Sequence, residues 1–109
     1  MDDPHHPILE SPWLWEIDHI EWAAGTGDTP SCLDITFIRG GVSRTLRFID
    51  AQNVSMNIDG RLPAQCGEMV ILDIRDRQLE GLSVQVTEGG ASGSPVELYA
   101  RTVEVVRSQ

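Results

Sequence analysis

Three histidines, two cysteines, three tryptophans and seventeen acidic side chains are the groups in this 109-residue chain that could do chemistry or grip a partner. A nucleophilic site needs a Ser, Cys or Thr beside a base held in fixed geometry. His5 and His6 fall in a Pro- and acid-rich leader, and His19 stands among apolar residues, where a packed or hydrogen-bonded side chain is the expected role. No G-x-S-x-G elbow is present, and Gly25-Thr26-Gly27 lacks the Lys of a phosphate-binding loop. Gly89-Gly90-Ala91-Ser92-Gly93 reads as a linker, because no helical pattern follows it. Two of the 17 acids could meet as a glycosidase pair in almost any fold, but no pattern selects one. These residues point to a protein that is not an enzyme.

Metal chemistry has equally little to work with. Cys32 and Cys66 make no C-x-x-C pair, and a zinc site needs more thiolates or imidazoles at short spacing. Asp2, Asp3, His5 and His6 could catch an adventitious ion, but they sit on no rigid element. Asp73, Asp76 and Glu80 form the densest acidic group of the ordered region, interleaved with Arg75 and Arg77 and without the spacing of a calcium loop. A mixed-charge loop rim is the expectation there. The sequence implies no metal and no cofactor.

Binding groups remain. Trp13, Trp15 and Trp22 fall within ten residues, and Trp is over-represented at the energetic centres of protein interfaces. Their spacing puts them on more than one face, so Trp15 and Trp22 are the candidate anchors, with Asp73, Asp76 and Glu80 as an acidic rim. Seventeen acids against eight bases give a net charge of −9. Phosphate backbones and anionic membrane surfaces repel such a chain, whereas a basic protein is steered towards it. The same charge also serves plain solubility. All eight bases are Arg, a residue suited to interfaces, although a GC-rich genome that favours Arg codons is the preferred explanation. The leader is acidic where a signal peptide is basic, and no apolar run reaches membrane-spanning length. A cytoplasmic protein with two reduced thiols is expected.

The elements that must hold these groups are short strands. Residues 1–10 are expected to form a loose arm, and residues 11–109 one domain. Over 13–24 both helix and strand fit; Ser11-Pro12 favours a short turn or helical piece, and alternation resumes from about Ile17 with a one-residue slip, as at a bulge. Leu33, Ile35 and Phe37 alternate with polar residues, Gly40-Gly41 marks a hairpin, and Leu46 and Phe48 return inward. Val54, Met56 and Ile58 alternate next, followed by a loop over 62–67. Val70, Leu72 and Ile74, then Leu82, Val84 and Val86, then Val96, Leu98 and Ala100 form further inward sets, with Val103 and Val105 continuing after a bend near Arg101. The pattern is mainly β: an antiparallel sandwich or partly open barrel of six to seven short strands.

The run from His19-Ile20 through Leu33-Asp-Ile-Thr-Phe37, Arg44-Thr-Leu-Arg-Phe48 and Ile71-Leu-Asp-Ile-Arg-Asp76 to Tyr99-Ala-Arg-Thr-Val-Glu-Val105 resembles small β-rich bacterial immunity proteins of polymorphic toxin systems. It carries no functional residue with it. The resemblance implies a single-domain inhibitor that meets a cognate toxin in the cytoplasm, where an acidic surface complements a basic toxin site. The expected function is therefore protein binding, most concretely as a toxin inhibitor. The alternative is a structural or assembly subunit that self-associates through a sheet edge.

Overall fold

The computed structural model describes residues 4–58, 61–77, 79–90 and 93–108. Among them are nine strands: β1 (Glu16–Ala23), β2 (Cys32–Arg39), β3 (Val42–Ile49), β4 (Gln52–Met56), β5 (Ala64–Gln65), β6 (Met69–Asp73), β7 (Val84–Glu88), β8 (Val96–Ala100) and β9 (Thr102–Ser108). They form two antiparallel sheets, ordered β5-β1-β2-β3-β9 and β4-β8-β7-β6, that do not close into a barrel. The mainly β sandwich is therefore the architecture, with more strands than the alternation reveals. The additional strands are β5, two residues inside the 62–67 loop that add to β1 opposite Glu16 and Ile17, and β9, which the bend near Arg101 carries from the sheet of β8 into the other sheet. No described helix is long and apolar enough to cross a membrane.

Side chains that alternate along a strand point to opposite faces, so each sheet presents one apolar face to the other. Ile17, Leu33, Ile35, Phe37, Leu46 and Phe48 come from one sheet, and Met69, Ile71, Val84, Val86, Val96 and Leu98 from the other; all are essentially fully buried. The β2–β3 hairpin turns at Gly40 and Gly41, and Gly40 takes the positive φ of 60° that a residue with a Cβ resists. The slip in β1 is a bulge between Ile17 and His19, and a 3-10 turn at Pro12–Leu14 precedes the strand.

Three expectations need correction. The leader is not loose over its described part: residues 4–6 lie antiparallel against β6, with His6 N–H donating to the Ile71 carbonyl and Asp73 N–H to that of Pro4, both at 2.8 Å. Leu9, at 1% exposure, enters the core. In β6 the core-facing pair is Met69 and Ile71, not Val70 and Leu72, because this strand is a run of four apolar residues that fits either phase. His19 is exposed rather than packed, its neighbour across the strand pair being Thr36 on the outer face.

Candidate functional site

The residues that could do acid–base or nucleophilic chemistry are placed apart. His19 lines a shallow depression of about 230 Å³ on the outer face of the five-stranded sheet, with Glu21, Asp34, Thr36, Thr45 and Arg47. Its polar groups are largely committed to one another. Thr36 and Thr45 share a hydroxyl hydrogen bond of 2.8 Å, and Arg47 forks onto Asp34 through two bonds of 2.9 and 3.0 Å. That contact holds the Arg47 guanidinium in its charged form. A larger cleft of about 620 Å³ opens between β4, β5 and residues 93–95, and Glu88 and Glu97 both border it. Glu97 accepts a 3.0 Å bond from the Thr87 hydroxyl.

The remaining candidates for chemistry are structural in their settings. Cys66 is fully buried, and burial pushes its thiol up to about 12, with Glu16 adding to the rise, so it stays protonated and unreactive at neutral pH. Cys32 is half-buried and its thiol approaches the Pro30 carbonyl at 3.6 Å; both cysteines are free thiols. His6 is held below its ordinary value, chiefly by burial, and its Nδ1 accepts the Ile8 N–H at 3.2 Å. Asp2 and Asp3 lie outside the described residues. Among the described residues, no three His, Cys, Asp or Glu side chains converge as a metal site.

The three tryptophans sit in different settings: Trp13 in the 3-10 turn, Trp15 just before β1 and Trp22 within it. Trp15, expected as an anchor, belongs to the core at 7% exposure. Its indole N–H donates to the Glu10 carbonyl at 3.2 Å, and the Arg44 guanidinium stacks 5.8 Å above its ring. This side chain staples the leader to the sheet and is not available to a partner. Trp13 is partly exposed and meets the His5 ring edge-on at 6.0 Å. Trp22 stands at 50% exposure near the end of β1. Its cross-strand neighbour is the fully buried Leu33, so it occupies an inward register position. β5 flanks β1 only at Glu16 and Ile17, so Trp22 lies on a stretch of β1 with no strand on its other side among the described residues.

The acidic rim lies at the same end of the sandwich as Trp22. The register runs from Ala23 to Cys32, on to Ile49 and to Thr102. Arg101 then crosses to Ala100, which pairs with Val84, and Val84 with Asp73. The loop that follows Asp73 is anchored by Ile74, fully buried with its N–H on the Ser83 carbonyl. Asp76, Leu79 and Glu80 are held exposed along it. Asp73 differs from the other two acids. Arg75 grips its carboxylate at 2.6 to 3.0 Å and keeps it below the usual carboxylate range. Asp73 thus shapes the loop, while Asp76 and Glu80 face solvent.

One end of the molecule therefore displays a half-exposed Trp22 and an exposed Leu79 with two solvent-facing carboxylates. Leu79 escapes sequence reasoning, because a single Leu in a loop has no periodicity to mark it as exposed. Chemically, this end can bury apolar surface and attract positive charge. The chain matches no family model, no curated protein and no solved structure.

Proposed function

We propose that this chain is a non-catalytic protein-binding module that takes a basic partner at the end carrying Trp22 and the 74–83 loop. Its most concrete form is a cytoplasmic inhibitor, or immunity protein, of a cognate bacterial toxin. The observation that supports the reading is Trp22, a large aromatic left half-exposed near the end of β1. An aromatic anchor ringed by polar groups is the usual centre of binding energy in a protein interface. Asp76 and Glu80 supply long-range attraction, which raises the association rate and makes it salt-sensitive.

The test pairs a pull-down with two variants. Tagged protein is passed through lysate of its own source cells, eluted in rising salt, and the retained protein is identified and purified. Binding is then measured for the wild type, for Trp22→Ser and for Asp76→Asn combined with Glu80→Gln. The expected result is a basic partner whose affinity falls about 30-fold or more on loss of Trp22. The double charge variant should slow association and flatten the salt dependence. A retained partner indifferent to Trp22 would remove this end as the binding surface.

A further inference from the structure

We propose that β9 is a self-pairing edge, through which two copies of this chain join antiparallel, β9 to β9, about a two-fold axis passing between Val105 and Val106. The margins of the two sheets are treated unequally. Residues 4–6 cover β6. β4 is interrupted by a register break between Gln52 and Ser55 and by Asn53 at φ 53°. β5 is two residues long. The open part of β1, residues 19–23, carries Glu21 and no basic residue except His19. β9 runs seven residues, pairs only with β3 among the described residues, and exposes six of its side chains.

Charge and register select a second copy as the occupant. In an unbroken strand, residues 104 and 107 point to opposite faces, because the side-chain period is two. A bulge changes this here: Val105 opposes Leu46, but Arg107, not Val106, opposes Thr45. Glu104 lies opposite Arg47 and Arg107 opposite Thr45, so both belong to the outer face. Val103 and Ser108 lie opposite Phe48 and Arg44, on the inner face. A two-fold axis between Val105 and Val106 then sets Glu104 against Arg107 of the second copy on the outer face, twice per dimer, and Val103 against Ser108 on the inner face. It also covers Val105 and Val106, which are 47% and 40% exposed. Arg47, the neighbour of Glu104 within the chain, is already forked onto Asp34.

The net charge of −9 opposes association at long range. At physiological ionic strength that repulsion is screened beyond about 8 Å. Contact is then decided locally, and Glu104 and Arg107 make the β9 margin neutral. The inference does not rest on the partner-binding reading. A monomer that binds its partner through Trp22 sinks this proposal and leaves that one standing.

Sedimentation velocity over a concentration series, at physiological ionic strength, tests it on wild type, Arg107→Glu, Glu104→Arg and an equal mixture of the two variants. The wild type is expected to show a monomer–dimer equilibrium. Each variant alone places like charges opposite one another and should run as a monomer, while the mixture restores opposite charges and should form the mixed dimer. Glu104→Arg also meets Arg47, so circular dichroism checks that it folds. An independent reading uses the wild type alone: amide exchange across 102–108 should slow as protein concentration rises. A wild type that stays monomeric to its solubility limit overturns the proposal. So does a dimer that survives both reversals, or exchange in β9 that ignores concentration.

Discussion

The two sheets finish their margins in opposite ways. On the four-stranded sheet, β6 is covered by the chain's own leader: residues 4–6 take up its hydrogen bonds, Leu9 plunges into the core, and Trp15 ties down Glu10. On the five-stranded sheet, β9 carries no such cover among the described residues and meets solvent with two valines and an opposed pair of charges. An open row of backbone donors and acceptors is a template for another strand, and proteins normally blunt it. Here the leader stabilises one edge as an intramolecular substitute strand. The same chain leaves the other edge guarded only by a bulge and charge. An edge covered from within is part of the fold; an edge left open is available to something outside it.

The strongest way to break this contrast is to pull out the anchor of the covered edge. Leu9→Ala should cost about 2–5 kcal/mol of stability, as for other fully buried leucines. Denaturant unfolding with an unchanged slope, read from the midpoint shift, measures it. A loss below about 0.5 kcal/mol is what an exposed position gives, and would mean that the leader is not part of the core.

The physics of that anchor also explains which parts of the molecule were legible in the sequence. β2 and β3 were readable because Leu33, Ile35, Phe37, Leu46 and Phe48 alternate with polar residues, and the bulge in β1 because the alternation slips after Ile17. Residues 4–10 were not. Pro4, Pro7 and Glu10 look like solvated chain. The pairing of 4–6 with β6 is made by backbone groups, which every residue type carries. The inward phase of β6 was hidden for a related reason: four apolar residues in succession satisfy both faces. Among the candidate anchors, the local sequence marked the tryptophans but could not sort them. Alternation says which face a side chain takes, not how far the neighbouring strand extends. Trp15 is buried where its indole meets the Glu10 carbonyl and Arg44, contacts that lie outside any alternation pattern, while Trp22 stands on a part of β1 that β5 does not reach.

A smaller effect should appear with pH. Burial holds the His6 imidazole below its ordinary value of 6.5; Asp73 pulls in the other direction, and Arg75 adds to the lowering. The folded chain thus prefers neutral His6, whose Nδ1 accepts the Ile8 N–H. For a base with a lowered folded-state value, the stabilisation is fully present above 6.5 and is lost as pH falls through the lowered value. Amide protection factors at Ile8 and Asp73, corrected for intrinsic exchange, should drop over that range while those of β2 and β3 hold. In His6→Gln the step should vanish. A pH-independent leader would show that backbone pairing alone keeps β6 covered.

The smallest expected effect sharpens the other side of the comparison within a single strand. Val103 and Val105 both sit on the inner face of β9, but Val103 is 8% exposed and Val105 is 47% exposed. Replacing Val by Thr keeps the shape and adds a hydroxyl, which is costly only where it is buried without a partner. Val103→Thr should cost about 1–3 kcal/mol, whereas Val105→Thr should stay within about 0.5 kcal/mol in dilute solution. A Val105→Thr penalty that grows with protein concentration is what burial against a second copy predicts, because anything that binds the folded state alone adds to its stability by mass action. An equal cost for both substitutions at every concentration would mean that β9 is covered within the chain, and the contrast between the two edges would disappear.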